Sequence, residues 1–385
     1  MKRYFIVNEF FGLRVYDSEH KKETYFPKTV ANQVKQLLAE NYIEIKSDKD
    51  HLISPLKISM NITRKCNLRC EQCFSDSGLP SRNELTTSEI CSLFDQMYNN
   101  GTYFICIGGG EPFMRKDLFE ILEYGKNKRL AISIVTNGLL LNDEIINHLN
   151  ECDLDTLWIS LDGLEKNHEM LRGRNTYIKT LQTLELVQKL YSGKKAIRVS
   201  LNQYNIGEFR ELIKVAEKYQ FDIIRFTPLL AFGRAIGKDL TISQEQYVDF
   251  MSQICKIESC VKIIHPNSLN NDKFWINSED FGCHCGREAV WIDELGNYYS
   301  CIFYGESHCL GNIKTDSWDE LWNKSLESSK ICGNNICMKC DNYKVCRGGC
   351  RARAYMTTGN INAIDPLCVL RKNQKKISNK KDIID

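Results

Sequence analysis

The 385-residue chain has almost no net charge and no long apolar run. Its 51 Lys and Arg residues are balanced by 49 Asp and Glu residues, which gives no electrostatic case for binding nucleic acid or a membrane. No stretch approaches the ~18 uninterrupted apolar residues of a membrane span. Asn8, Glu9 and Arg14 interrupt the apolar start before a signal-peptide core could form. These absences predict a cytoplasmic protein whose function resides in a site.

Cysteine, in contrast, is abundant, with 18 residues. Thiols stay reduced in the cytoplasm, so this number favours metal ligands or catalytic thiols over a disulfide framework. Cys66, Cys70 and Cys73 form a C-x3-C-x2-C run in "KCNLRCEQCF", directly after a predicted strand. Soft thiolates at this spacing suit an iron–sulfur cluster, and three cysteines for four irons leave one iron open to another ligand. A zinc site completed by a distant His or Cys is the alternative.

Apolar periodicity divides the chain into three parts and a tail. Residues 1–50 are predicted to form a small α+β unit, with short strands before a helix opened by Pro27. Residues 51–240 alternate strand-length apolar runs with amphipathic segments, which is typical of an α/β fold with a parallel sheet. Residues 241–370 are cysteine-rich with too little core to fold without metal, and residues 371–385 form a charged tail.

The central part contains six such strand and helix units. The predicted strands are 56–62, 103–108, 131–136, 156–161, 196–202 and 223–228. The helical stretches between them include 88–98, 117–127, 143–149, 177–191 and 206–219. Six units fall short of a closed eight-stranded barrel, so we expect a partial (β/α)6 TIM-type barrel. The working groups should then lie on loops after the carboxyl ends of the strands.

Four motifs follow the first four of these strands: "CNLRCEQC", "GGGEP", "TNG" and "SLDG....H...RG". Together they resemble the radical S-adenosylmethionine (SAM) enzymes, and the resemblance covers residues 56 to about 235. It implies that Cys66, Cys70 and Cys73 hold a 4Fe–4S cluster whose open iron binds the amino and carboxylate groups of SAM. One electron from the cluster would then split the sulfonium and give a 5'-deoxyadenosyl radical.

The same resemblance implies a set of SAM-binding residues: Gly109, Gly110, Glu111, Asn137, Ser160 and Arg172. The glycines and Glu111 would receive the methionine ammonium, because glycine allows close backbone approach and a carboxylate accepts from a cation. Ser160 and Arg172 would contact the ribose or the methionine carboxylate. For Asn137 a plain Asn-Gly turn is the alternative.

Three further positions bear on this resemblance. Asn205 and Arg234 resemble family positions, although a helix cap or surface charge explains Arg234 equally well. Relatives commonly carry an aromatic residue or His just before the third cysteine, where this chain has Gln72. The departure affects the details of nucleoside binding and leaves cluster assembly unaffected.

Cysteines of the last third resemble the SPASM extension of radical SAM enzymes, which carries up to two auxiliary Fe–S clusters. One cluster would be held by Cys337, Cys340, Cys346 and Cys368. The other would be held by Cys301 and Cys350 with Cys283, Cys285 or both, and Cys309 is a further candidate. A zinc ribbon is the alternative for the "CMKC" part. The cysteines expected to be idle thiols are Cys91, Cys106, Cys152, Cys255, Cys260 and Cys332.

This layout implies an enzyme that oxidatively modifies a ribosomally made precursor peptide, by a thioether or carbon–carbon crosslink. Its other partner would be an electron donor such as flavodoxin or ferredoxin. Sulfatase-maturing relatives typically have Asp where this chain has Ile302, which argues against that branch. Residues 1–50 resemble winged-helix modules that bind leader peptides by strand addition, with an ordinary cap on the barrel as the alternative.

Other functions stay open at this point. A radical SAM enzyme could act on another protein or on a small-molecule cofactor precursor. A non-catalytic zinc-binding protein is the distant alternative.

Overall fold

The computed structural model describes residues 2–266, 283–330, 335–341 and 343–369. Within these ranges the strands are β1 (Tyr4–Glu9), β2 (Gly12–Asp17), β3 (Lys22–Pro27), β4 (Tyr42–Ile45), β5 (Lys57–Asn61), β6 (Phe104–Gly108), β7 (Ala131–Thr136), β8 (Thr156–Ser160), β9 (Lys195–Leu201), β10 (Ile223–Pro228), β11 (Lys262–Ile264), β12 (Ala289–Ile292), β13 (Asn297–Tyr299) and β14 (Gly311–Asn312). The helices are α1 (Ala31–Leu37), α2 (Thr87–Asn99), α3 (Leu118–Asn127), α4 (Asp143–Glu151), α5 (Glu165–Arg172), α6 (Thr176–Leu190), α7 (Phe209–Lys218), α8 (Gln244–Ile254), α9 (Trp318–Ser329), α10 (Asn335–Met338), α11 (Tyr343–Cys346) and α12 (Arg351–Thr358). The predicted tail, residues 371–385, and Cys332 lie outside the described residues.

One sheet forms the barrel, with its described strands in the order β11-β10-β9-β8-β7-β6-β5-β12-β13-β14. Strands β5 to β10 are parallel and correspond to the six predicted units, which confirms the partial (β/α)6 barrel. All five residues of β8 are buried, as expected for a parallel strand whose two faces are both covered. Strands β11 and β12 extend this parallel run at its two ends and were not predicted.

The helices between the strands cover the sheet with one apolar side each. In α2 the buried residues Ile90, Leu93, Phe94 and Met97 recur at the spacing of a helical face. A capping box formed by the side chains of Thr86 and Glu89 begins this helix. Helix α5, after β8, was not predicted, because it is short and Leu171 is its only buried apolar residue, beside His168.

The amino-terminal unit is a four-stranded sheet of order β3-β2-β1-β4 with α1 between β3 and β4. Its strands confirm the predicted ones, although Pro27 ends β3 and a short 3-10 turn precedes α1. The ring of Tyr16 stacks on Tyr103, with centroids 4.6 Å apart, just before β6. The Tyr16 hydroxyl donates to the Arg129 carbonyl, 2.9 Å away, just before β7. The unit therefore covers the amino-terminal ends of the barrel strands.

The cysteine-rich region shares the core of the barrel. Strand β12 pairs with β5, and Trp318, Leu321 and Trp322 of α9 belong to the main hydrophobic core. The indole of Trp322 is fully buried and donates to the Leu52 carbonyl at 2.7 Å. Barrel packing therefore supplies much of the core that the sequence of this region lacks. None of the helices in the described ranges is long and apolar enough to cross a membrane.

Candidate active site

A cavity of about 580 Å3 opens inside the barrel and reaches the cysteine-rich region. Most of the predicted site residues line it: Cys66, Cys70, Cys73, Gly109, Gly110, Asn137, Ser160, Arg172, Cys283, Cys285, Cys301 and Cys350. The residues come from loops after β5 to β8 and from the cysteine-rich region, so the fold brings together motifs that lie far apart in the sequence. The volume lies in the range of small-molecule sites.

The segment that carries Cys66, Cys70 and Cys73, here called the first cysteine loop, is closed by two backbone hydrogen bonds to Gly78. The amide of Cys66 donates to the Gly78 carbonyl at 2.9 Å, and the amide of Gly78 donates to the Arg64 carbonyl at 3.0 Å. Within the loop, the sulfur of Cys66 accepts from the Leu68 amide at 3.4 Å. Burial raises the pKa of Cys66 to about 11, so binding of a metal must displace this proton.

The glycine loop after β6 packs directly on the cysteine loop. The amide of Gly110 donates to the Thr63 carbonyl and that of Glu111 to the Lys65 carbonyl, both at 2.8 Å. A Cβ atom on Gly110 would lie 2.2 Å from the Lys65 carbonyl oxygen. Glycine is therefore required here by the contact between the two loops, as well as by any ligand in the cavity.

The Glu111 side chain does not lie where the sequence predicted. We expected its carboxylate to face the cavity and accept from the methionine ammonium. The side chain is fully buried and does not line the cavity. Its two oxygens accept from the Thr136 hydroxyl at 2.7 Å and from the Asn137 amide at 2.8 Å. Glu111 thus ties the loop after β6 to the loop after β7 and positions Asn137 at the cavity.

The carboxyl of Glu111 gives a prediction about pH. Burial raises its pKa from an ordinary value of 4.5 to about 7, so the folded chain holds this proton more tightly than the unfolded chain. Its contribution to stability is present below about pH 4.5 and is lost as pH rises through about 7, by roughly 3 kcal/mol in all. We expect Glu111→Gln to flatten the fall in the free energy of unfolding between about pH 5 and pH 8, measured by urea unfolding of the apoprotein. The exposed Glu120→Gln is the control, and an unchanged slope in Glu111→Gln would contradict the prediction.

A buried ion pair supports the cysteine loop from the side of β8. Asp162 is fully buried and accepts from Arg172, whose Nη2 lies 2.7 Å away. The side-chain amide of Gln72 donates to the same carboxylate at 2.7 Å. Burial raises the pKa of Cys70, and the positive charge of Arg172 acts in the opposite direction. Gln72 replaces the aromatic residue or His that relatives commonly carry before the third cysteine. It therefore joins the backbone next to Cys73 to the Asp162–Arg172 pair.

Arg234 has a role that the sequence left open. Its Nε donates to the Cys70 carbonyl at 2.8 Å, and its Nη1 donates to the Ser77 carbonyl at 2.8 Å and to Asp76 at 2.7 Å. The preceding Gly233 has φ +59°, and a Cβ atom there would lie 2.3 Å from the Phe74 carbonyl oxygen. Gly233 and Arg234 of "FGRA" thus hold the first cysteine loop in place, and we call this contact the clamp.

Loss of this clamp should weaken iron binding. In Arg234→Met the carbonyl of Cys70 loses one of its two donors, the other being the Cys73 amide, and the loop loses three hydrogen bonds to one guanidinium. Outer supports of metal ligands commonly contribute about 10–100-fold to metal affinity, and we expect a loss in this range. The measurement is the iron retained by reconstituted protein during challenge with a chelator. Arg210→Met, on the exposed side of α7, should retain iron like the wild type, and equal retention by Arg234→Met would refute the clamp.

A second group of thiols lines the same cavity: Cys283, Cys285, Cys301 and Cys350. Contact with the Cys285 thiol raises the pKa of Cys283 well above its ordinary value. Contact with Cys283 lowers the pKa of Cys285, but contact with Cys301 and burial outweigh this and raise it. The nearby Cys350 thiol also raises the pKa of Cys285, and the pKa of Cys350 is itself raised in part by Cys283. The structure therefore brings both Cys283 and Cys285 together with Cys301 and Cys350.

The remaining candidate cysteines lie outside the cavity lining: Cys309, Cys337, Cys340, Cys346 and Cys368. The sulfur of Cys309 is directed to the Gly311 carbonyl, 3.2 Å away. Cys337 and Cys340 share one turn, because the amide of Cys340 donates to the Cys337 carbonyl at 3.0 Å. Burial raises the pKa of Cys346, and the nearby Cys368 thiol adds to this.

The predicted ligands are all thiols, which suit iron–sulfur clusters. A zinc ion draws its sulfur ligands to about 2.3 Å from one point, whereas a cluster binds each thiolate at a different iron. Three thiols on one closed loop, facing a cavity, fit a 4Fe–4S cluster.

Comparison with known proteins agrees with this geometry. Residues 60–216 match the Radical SAM superfamily. Mycofactocin maturase MftC of Mycobacterium ulcerans is 28% identical over 83% of this chain and 89% of its own length. Fe-coproporphyrin III synthase of Methanosarcina barkeri is 27% identical over 82% of this chain and 88% of its own length. The fold also resembles Streptococcus suis SuiB bound to precursor peptide SuiA, with a TM-score of 0.75 and 16% identity over 95% of this chain and 98% of that one.

The similarity to SuiB shows the fold alone. The superfamily match covers residues 60–216, which include the first cysteine loop and the loops after β6, β7 and β8. Residues 60–216 are a radical SAM domain, and the chain is an enzyme whose cofactors are SAM and a 4Fe–4S cluster.

Proposed function

We propose that this enzyme oxidatively modifies a ribosomally made precursor peptide by forming a thioether or carbon–carbon crosslink. The observation that carries the proposal is the single cavity shared by the first cysteine loop and the second group of thiols. A peptide segment in this cavity would lie between both groups at once. The similarity to a mycofactocin maturase and to SuiB bound to SuiA supports a peptide as the substrate.

The residues proposed to hold the first cluster are Cys66, Cys70 and Cys73. When bound, the reduced cluster and SAM supply one-electron cleavage to a 5'-deoxyadenosyl radical. The polypeptide contributes positioning: Gly109 and Gly110 present backbone to the methionine, and Ser160 and Arg172 present side chains to the ribose or the carboxylate. Arg172 is already oriented by Asp162, which limits the reorganisation needed when the ligand binds.

We place one auxiliary cluster on Cys283, Cys285, Cys301 and Cys350, because these thiols lie at the cavity. Arg353 and Cys350 share a support, since Asp365 accepts from the Arg353 Nε at 2.7 Å and from the Cys350 amide at 2.6 Å. The other cluster is assigned to Cys337, Cys340, Cys346 and Cys368, away from the cavity. This second site would exchange electrons with a donor such as flavodoxin or ferredoxin.

Leader-peptide binding by residues 1–50 stays a prediction. Strand β4 lies at an edge of the amino-terminal sheet, and Ile43 on it is 40% exposed. An edge strand can accept an added strand from a peptide. The other face of the unit packs on the barrel through Tyr16, so the unit also acts as a cap.

The test is co-expression of the chain with short peptides encoded beside its gene, followed by mass spectrometry. A crosslink removes two hydrogens, so the modified peptide should be lighter by their mass. An unmodified peptide, together with active SAM cleavage by the same preparation, would reject the peptide substrate.

A second function is favoured by the similarity to Fe-coproporphyrin III synthase. A tetrapyrrole, in place of a peptide, would then occupy the cavity. Stimulation of 5'-deoxyadenosine formation by a coproporphyrin, and not by the peptide, would favour this second function.

A further inference from the structure

Three basic side chains from the barrel strands enter the cavity and have no part in the chemistry described so far. They are Lys57 on β5, Arg198 on β9 and Arg225 on β10, here called the lumen cluster. Arg198 and Arg225 are register partners in the parallel pair of β9 and β10. Adjacent strands lie about 4.8 Å apart, so the two side chains leave the sheet side by side on the same face.

The lining of the cavity is unbalanced in charge. Within the described part of the chain, no Asp or Glu side chain lines it. The other arginines of the lining each pair with a carboxylate: Arg172 with Asp162, Arg234 with Asp76 and Arg353 with Asp365. For Lys57 and Arg198, no ion pair with another described residue exists. Arg225 lies with its guanidinium 5.1 Å from the centre of the Trp158 ring, which orients it.

Burial of like charges close together is unfavourable, and Lys57 shows the effect. Burial lowers the pKa of Lys57, and the charges of Arg225 and Arg198 act in the same direction, whereas Cys106 and Asp155 act in the opposite direction. An anion placed among the three side chains would relieve this repulsion and accept charge-assisted hydrogen bonds. A guanidinium presents a planar fork of donors that matches a carboxylate.

We propose that the lumen cluster binds a carboxylate group of the substrate. The proposal rests on the peptide-modifying function above, so the carboxylate is either the carboxyl terminus of the peptide or an Asp or Glu side chain beside the modified residue. Binding it in the lumen would hold the reacting residue at a fixed depth between the cysteine loop and the second group of thiols.

The first experiment uses glutarate as the probe, with its neutral diamide as the matched control, on reconstituted protein at constant ionic strength. Glutarate should raise the melting temperature of the wild type and of the surface variant Arg210→Gln, and the diamide should not. The effect should be lost in Arg198→Gln and, independently, in Lys57→Met. If either variant does not fold, the other variant decides. Equal stabilisation of the folded variants by glutarate would overturn the proposal.

The carboxylate of SAM is a competing anion, and a second measurement separates the two. If the lumen cluster serves the substrate, glutarate should still stabilise the wild type at saturating SAM. Loss of the glutarate effect under SAM would assign the cluster to SAM and overturn the proposal. Modification of a peptide by the wild type, detected by mass spectrometry, tests the proposed function separately. Failure of the proposed function can therefore be distinguished from failure of carboxylate binding by the lumen cluster.

The two sources of carboxylate differ in a peptide substrate. If the carboxyl terminus is the ligand, its amidation should weaken binding of the peptide at least tenfold. If an acidic side chain is the ligand, its replacement by the amide should do so instead. If neither change weakens binding, the lumen cluster does not recognise the peptide by a carboxylate.

Discussion

Reconstituted Cys70→Ala protein is expected to form no 5'-deoxyadenosine from SAM above a buffer control, in the presence of dithionite. Cys70 is the middle thiol of the proposed three, and its backbone carbonyl is the point at which Arg234 holds the loop. With two thiolates left, the loop cannot hold three corners of a cube. The iron content should fall by roughly four atoms per chain, the complement of one 4Fe–4S cluster.

Cys260→Ala is the matched control, because Cys260 is exposed and does not line the cavity. It should match the wild type in both iron content and SAM cleavage. Cleavage by Cys70→Ala within twofold of the wild type would show that the first cysteine loop holds no catalytic cluster.

Replacing Arg14 by methionine should lower the free energy of unfolding by about 3–5 kcal/mol, because one cation of a buried ion cluster is removed. The side chain of Arg14 is fully buried and contacts Glu9 at 2.9 Å and Glu23 at 2.8 Å, both also fully buried. It also donates to the Gly101 carbonyl at 2.6 Å, which joins the amino-terminal unit to the barrel. The variant leaves two carboxylates buried without their cation.

Urea unfolding of the apoprotein measures this loss. Arg3→Met is the control: Arg3 pairs with Asp17 on the same unit, but its side chain is 30% exposed, so little change is expected. Adding Glu9→Gln and Glu23→Gln to Arg14→Met should recover part of the stability, since uncharged amides cost less to bury. A loss in Arg14→Met no larger than in Arg3→Met would contradict the role of the ion cluster.

The sequence was most informative where burial is continuous. Strands such as "TLWIS" have every residue buried, so their apolar runs predicted the six barrel units directly. Strand β12 could not be predicted in the same way. It is four residues long and pairs with β5 from more than two hundred positions away, and periodicity contains no information about such a partner.

The site divides similarly. Cysteine and glycine motifs were predicted because their spacing is local, and the structure places most of them around one cavity. The orientation of Glu111 depends on the neighbouring loop after β7, which a motif does not describe. The lumen cluster did leave a signal, since "AIRVSLN" and "IIRFTP" each carry an arginine inside an apolar strand. In a parallel sheet covered on both faces, such a charge must point into a polar interior.

The open iron is tested most directly by electron paramagnetic resonance of the dithionite-reduced, reconstituted protein with and without SAM. If SAM binds this iron, it should change the spectrum of the wild type and leave that of Cys70→Ala unchanged. A wild-type spectrum that is identical with and without SAM would contradict an open iron at the first cysteine loop.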